Sequence, residues 1–206
     1  VGGRGKKSGS MVLNRATQSP RQPGSSIKPL SVYGPGIDTG KVTQYTVIKD
    51  EPININGWTP KNYDGTFEGS MTVMRALQKS QNIPAINILQ MVGVDRSYEY
   101  LTQKMHFTTL DENDRNLAAL ALGGMTRGVT VYEMAAAYSV FPNKGVYNKP
   151  KTYTKVTDST GKVILEASNS SNVVFSENSA YTMRNLLKNA VENGTGGGSK
   201  ISGMDT

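Results

Sequence analysis

Most apolar positions in this chain recur at helical spacing. Met71, Met74 and Leu77 line one face of a segment expected to be a helix over 71–79, with Ser70 as its N-cap. Pro84, a favoured first-turn residue, opens a second helix that runs through Ile86, Leu89 and Val92 to Gly93. Ser80-Gln81-Asn82 is thereby left as a tight corner between two helices. Asp95 is expected to cap a third helix, with Tyr98, Leu101 and Met105 on its inner face. Leu117 to Leu122 reads as a short buried helix closed by Gly123-Gly124. Thr130-Val131-Tyr132-Glu133 is a capping-box pattern ahead of Met134-Ala135-Ala136-Ala137-Tyr138, whose helix should end by Pro142. Ser176 can cap a last helix to about Val191, with Leu186, Leu187 and Val191 inward, before a flexible glycine-rich loop from Gly194 to Gly198.

Two segments depart from that period. Val42, Thr43, Tyr45, Val47 and Ile48 suggest a short strand, followed by a Pro/Asn/Gly-rich loop that carries Trp58 and Tyr63. Further on, Thr152 to Thr157, a Ser159-Thr160-Gly161 turn and Lys162 to Glu166 make a hairpin. Strands and helices do not alternate as a parallel doubly wound sheet would require, so the fold class is α+β. Val1-Gly2-Gly3 reads as the tail of a strand, and with no start methionine the natural N-terminus is expected elsewhere. Residues 5–24 read as an extended connection to Ser25, and the helix running on from Lys28 is expected to be cut short by Gly34-Pro35-Gly36.

Composition narrows the function by exclusion. At 206 residues, 36% hydrophobic with 22 glycines, the chain can bury one substantial core while remaining loop-rich. The net charge of +7 comes from scattered residues with no run longer than Lys6-Lys7 and no nucleic-acid fold signature. It implies a general attraction to polyanions, among which acidic cell-wall polymers qualify. No stretch approaches the roughly twenty apolar residues of a membrane span, and there is no signal peptide pattern. The chain has no cysteine, and its one histidine, His106, sits at the end of the third expected helix. A Cys–His pair is excluded, a Ser–His–Asp triad would need that one imidazole, and no His/Asp/Glu cluster has metal-ligand spacing.

The remaining chemistry lies in Arg21-Gln22-Pro23-Gly24-Ser25-Ser26-Ile27-Lys28-Pro29. Ser25 and Lys28 are three apart and share a helix face, so the amine can take the hydroxyl proton, provided that burial lowers its pKa. The Pro23-Gly24 turn places Ser25 at a helix start, where orphan N–H groups face a developing oxyanion. This stretch, with Ser80-Gln81-Asn82-Ile83-Pro84-Ala85 and Gly128-Val129-Thr130-Val131-Tyr132-Glu133-Met134-Ala135-Ala136-Ala137-Tyr138, resembles the transpeptidase domain of class A, bifunctional penicillin-binding proteins. The resemblance spans nearly the whole chain. It implies a serine transpeptidase/β-lactamase-like fold, with a helical subdomain and an antiparallel sheet flanked by helices. It also implies that Ser25 is the nucleophile, that Lys28 is its base, and that Ser80 and Asn82 complete a proton relay, Asn82 also holding the substrate amide.

Motif order separates these residues from decoys. Ser159 to Lys162 also matches S-x-x-K but falls in the hairpin turn, and Ser170-Ser171-Asn172 and Ser176-Glu177-Asn178 also match S-x-N. The family's third motif, K-[ST]-G, follows the segment resembled by residues 195–205. Lys7-Ser8-Gly9 matches its letters but lies before Ser25, in the wrong order along the chain, and reads as a loop, while Lys200-Ile201-Ser202-Gly203 has the lysine displaced. Residues 1–206 are therefore expected to be a partial domain, cut short at both ends, with either a second chain completing the sheet or an open site with a disordered glycine-rich tail.

The resemblance implies a D,D-transpeptidase that cross-links peptidoglycan stem peptides ending in D-Ala-D-Ala on the outer face of the bacterial cell membrane. β-Lactams would acylate it, and neither a cofactor nor a nucleic-acid partner is called for. The rivals are a β-lactamase and a non-catalytic β-lactam sensor. Glu112-Asn113-Asp114-Arg115-Asn116 has the glutamate-to-asparagine spacing of a β-lactamase motif, but it reads as a helix start.

Overall fold

The computed structural model describes residues 5, 6 and 9–204. At its centre lies one unbroken helical run: a tight turn over Gly24–Ile27, a wider turn over Pro29–Tyr33 and a regular helix, α1 (Gly34–Asp38). Ile27, Leu30, Val32 and Tyr33 are fully buried along it. Gly34-Pro35-Gly36 does not cut it short. The Gly34 N–H reaches back five residues to the Pro29 carbonyl, which widens the turn. Pro35 has no N–H to offer the Ser31 carbonyl, and the Ser97 hydroxyl donates to that oxygen instead, at 2.6 Å. The glycines are there for close packing. A Cβ on Gly34 would lie 2.7 Å from both the Phe175 ring and the Pro29 oxygen, and one on Gly36 would lie 3.0 Å from Ile88.

Strand β1 (Val47–Asp50) pairs antiparallel with β2 (Gly69–Thr72), with Val47 opposite Thr72 and Asp50 opposite Gly69. This pairing corrects the predicted helix start. Ser70 and Met71 lie in β2, and the helix α2 (Val73–Gln78) begins later, with the Thr72 hydroxyl accepting the Arg75 N–H. After the Ser80 corner, α3 (Asn82–Val92) buries Ala85, Ile86, Ile88 and Leu89 against the central run. Helix α4 (Val94–Glu99) is not capped by Asp95. Gly93 occupies the cap position, and Asp95 lies in the first turn, paired with Arg115 at 2.7 Å.

Helix α5 (Leu117–Leu122) matches its expected bounds, capped by Asn116 and closed by Gly123. The capping box of α6 (Val131–Tyr138) is fully formed: Thr130 Oγ1 accepts from Glu133 N, while Glu133 Oε2 accepts from Thr130 N. Strand β3 (Val146–Asn148) pairs with β6 (Ser171–Val173), and between them β4 (Lys155–Thr157) and β5 (Val163–Glu166) form the expected hairpin. Asp158 holds the hairpin turn by accepting the Thr160 and Lys162 N–H groups. Helix α7 (Glu177–Asn193) is capped by Ser176 as expected, with Met183 and Leu186 in the core. Its glycine-rich exit is docked at its start, where Thr195 N donates to the Gln78 carbonyl.

Among the described residues the sheets are three separate two-stranded antiparallel ribbons beside a helical core, an α+β arrangement. The expected strand tail at Val1-Gly2-Gly3 and the Lys7-Ser8 part of the decoy motif lie outside the described residues. Because Phe175 stacks on Phe141 and Tyr100 as well as facing Gly34, a side chain at 34 would have to displace that aromatic cluster. Gly34→Ala should therefore cost about 1–3 kcal/mol of stability in urea unfolding. Gly198→Ala, with nothing near its would-be Cβ, should stay within about 0.5 kcal/mol of wild type.

Candidate active site

Ser25 sits in the tight turn that opens the central run, and the backbone around it is held from several sides. Arg21 and Val129 exchange backbone hydrogen bonds at 2.8 and 2.9 Å, and Gln22 Nε2 donates to the Met125 carbonyl. Gly123, at φ +76°, closes α5 against Gly24, where a Cβ would come within 2.2 Å of the Gly24 oxygen. The Ser26 hydroxyl is committed to the Pro23 carbonyl at 2.6 Å, and Tyr138 OH donates to the Ser26 carbonyl at 2.7 Å. Burial pushes the Tyr138 phenol up to about 12, so it remains a donor. Both serines are exposed, but the Ser25 hydroxyl has no hydrogen-bond partner among the described residues. Of the two adjacent serines, only Ser26 has its hydroxyl hydrogen-bonded among the described residues.

Lys28 lies one turn further on and has no exposed surface. Its Nζ donates to the Ser80 carbonyl at 2.6 Å, to Asn82 Oδ1 at 2.8 Å and to the Gln81 carbonyl at 3.2 Å. Ser80 Oγ lies 3.4 Å away. These oxygens converge because the corner between α2 and α3 is sharp, with Ser80 at φ +57°, a conformation that costs a non-glycine residue about 1–2 kcal/mol. Burial pushes the Lys28 amine down from 10.5 to about 7. About half of the molecules then carry a neutral amine at pH 7, against about one in a few thousand for an ordinary lysine. The three oxygens suit the three hydrogens of an ammonium, whereas the neutral amine keeps a lone pair for a proton. In this structure that amine points to the corner and makes no hydrogen bond to Ser25.

The structure thus brings Lys28, Ser80 and Asn82 together and places Ser25 exposed at the near end of the same turn. Sequence reasoning missed the support behind Asn82. Asn62 Oδ1 accepts the backbone N–H of Asn82 at 2.8 Å and of Ile83 at 3.2 Å, and Asn82 Nδ2 donates to the Lys61 carbonyl at 2.8 Å. The only signal was the loop's wealth of Asn, Pro and Gly. The alternatives are engaged elsewhere. His106, at φ +57°, hydrogen-bonds Asn172 and packs edge-on against Tyr147. Glu112 is a largely exposed partner of Arg115, and Asn116 is used in capping α5. Ser159 to Lys162 form the exposed hairpin turn, Asn172 Nδ2 bonds the Lys104 carbonyl, and Ser176 caps α7.

An exposed serine one turn before a buried lysine, with an S-x-N corner between two helices, is the arrangement of the serine transpeptidase class of fold. Solved structures agree. Penicillin-binding protein 1A from Haemophilus influenzae superposes with a TM-score of 0.76 at 28% identity, over 95% of this chain and 32% of that one. Penicillin-binding protein 3 from Mycobacterium tuberculosis, complexed with ampicillin, gives a TM-score of 0.80 at 23% identity, over 93% and 47% of the two chains. The chain belongs to the penicillin-binding protein transpeptidase domain family, whose model matches residues 3–205. Penicillin-binding protein 1A from Clostridium acetobutylicum, a class A relative, is 42% identical over 217 aligned positions that take in 99% of this chain. The chain spans 26% of that relative's length.

The depressed amine makes stability depend on pH in a defined direction. Below about pH 7 Lys28 is charged both folded and unfolded, and burial of the charge opposes folding in full. Between about 7 and 10.5 the unfolded chain binds the extra proton, so stability rises with pH. Lys28→Met removes this dependence. The difference in unfolding free energy between wild type and Lys28→Met should be flat below about pH 6. From pH 7 to 9 it should shift in favour of wild type by up to about 1.4 kcal/mol per unit.

Proposed function

We propose that this chain carries the catalytic serine of a D,D-transpeptidase that cross-links peptidoglycan. The observation that carries the reading is Lys28: a lysine with no exposed surface, pushed down to about 7, one turn from an exposed serine and hydrogen-bonded into the Ser80–Asn82 corner. Neutral Lys28 takes the Ser25 proton as Oγ attacks the carbonyl between the two terminal D-alanines of a stem peptide. The Oγ–C bond forms, the C–N bond breaks, and the proton passes through Lys28 and Ser80 Oγ to the departing D-alanine amine. An amino group of a neighbouring stem then attacks the ester carbonyl, a new C–N bond forms as the C–Oγ bond breaks, and a proton from that amine returns to Ser25 Oγ. Asn82 has a second amide hydrogen beyond the one given to Lys61, and this hydrogen holds a substrate carbonyl.

β-Lactams acylate the same serine in this reading, consistent with the ampicillin complex of the mycobacterial neighbour. The reaction takes place on the outer side of the cytoplasmic membrane, and no described helix is long and apolar enough to cross one. A Lys-Ser/Thr-Gly segment beside Ser25 would complete the site, and no such motif follows Asn82 in this sequence. We propose that it comes from outside residues 1–206. The exposed, Arg115-paired position of Glu112 argues against a deacylating glutamate and hence against a β-lactamase.

In the full-length protein, Ser25→Ala should abolish covalent labelling by fluorescent penicillin, whereas Ser26→Ala should retain it. Lys28→Arg, which keeps the charge but cannot lose its proton, should slow acylation by about 10²–10⁴. Label on the Ser25→Ala protein, or near-native acylation of Lys28→Arg, contradicts the mechanism.

A further inference from the structure

Asn62 is 4% exposed and uses its full hydrogen-bonding capacity. Its Oδ1 takes the first two N–H groups of α3, those of Asn82 and Ile83, while its Nδ2 donates to Asp50 Oδ1 at 2.7 Å and to the Thr66 carbonyl at 2.8 Å. The residue before α3, Gln81, makes no side-chain cap, so the helix is capped by a residue twenty positions upstream. Asp50 is wholly buried at the end of β1 and also accepts the Glu68 N–H at 2.9 Å. It accepts and cannot donate when ionised, so it fixes which end of the Asn62 amide faces α3. The adjacent carbonyl of Lys61 takes Asn82 Nδ2, which turns Asn82 Oδ1 toward Lys28. Residues 61 and 62 thus grip Asn82 by both backbone and side chain.

We propose that Asn62, oriented by Asp50, is a positioning residue for Asn82 and sets the selectivity of the site for acyl donors that carry an amide carbonyl beside the reacting carbonyl. The inference rests on the acyl-transfer reading above. Without this grip the Asn82 amide is free to rotate, and its remaining N–H no longer points where a donor's amide oxygen must sit. Donors lacking that amide lose nothing specific.

The test compares acylation of the full-length protein by benzylpenicillin, which bears an acylamino side chain, and by 6-aminopenicillanic acid, the same ring system with a free amine. The ratio of the two second-order rate constants does not depend on the fraction of protein that is folded, so lost stability alone leaves it unchanged. Wild type should prefer benzylpenicillin. Asn82→Ala should lower the ratio about tenfold, the equivalent of one hydrogen bond of about 1.4 kcal/mol. Asn62→Asp, which sets two carboxylates face to face, should lower it similarly and add little in the double variant with Asn82→Ala. The exchange Asp50→Asn with Asn62→Asp restores the donor–acceptor match between the two side chains, but not the bond to the Thr66 carbonyl, and should recover part of the ratio. If Asn62→Asp yields no protein that can be acylated, Asn62→Ala, which removes the amide without adding a charge, takes its place, a lowered ratio supporting the proposal and a wild-type ratio overturning it. A wild-type ratio retained in Asn62→Asp, or a wild type without preference, overturns the proposal and leaves the acyl-transfer reading standing. A wild type that is not acylated at all overturns that reading instead.

Discussion

A lysine amine with no exposed surface must find acceptors or give up its proton, and Lys28 is built to do both. Three oxygens from Ser80, Gln81 and Asn82 receive its hydrogens, while burial brings its pKa down to about 7. Everything around it serves that balance. The left-handed Ser80 makes the corner, Asn62 caps α3 from a distance, and Asp50 orients Asn62. The wider turn over Pro29–Tyr33 carries the helical run from Lys28 through Pro35 into the core.

Much of the helical order was legible in the sequence, because caps and apolar spacing are local. Thr130 and Glu133, Gly123 after α5, Ser176 before α7 and the Ser159-Thr160-Gly161 turn each act within a few residues of themselves. Expectations failed where a distant partner decided. Ser70 is a sound cap by composition, but β1 across the ribbon draws it and Met71 into a strand. Asp95 is drawn to Arg115, twenty residues on. Gly34-Pro35-Gly36 reads as a stop, yet Phe175 and Ile88 need the space that those glycines leave, and Ser97 supplies the hydrogen bond that Pro35 cannot.

The same distinction holds at the site. Ser25, Lys28, Ser80 and Asn82 could be singled out because motif order and flanking residues are written along the chain. Asn62 and Asp50 could not, since one asparagine in an Asn-rich loop and one aspartate at a strand end carry no local mark. Their importance comes only from where β1 and the 51–68 loop pass in relation to α3. The decoys illustrate the converse: Ser159 and Lys162 have the right spacing, but on an exposed hairpin nothing buries the amine.

The central claim is that burial gives Lys28 an amine poised near neutrality, and a direct titration tests it. Protein labelled with ¹³C at lysine Cε, with Lys28→Arg to assign the resonance, is followed by NMR from pH 5 to 11. The account predicts one lysine with a midpoint near 7 that is absent from the variant. A Lys28 midpoint near 10.4, with the bulk of the lysines, would contradict it.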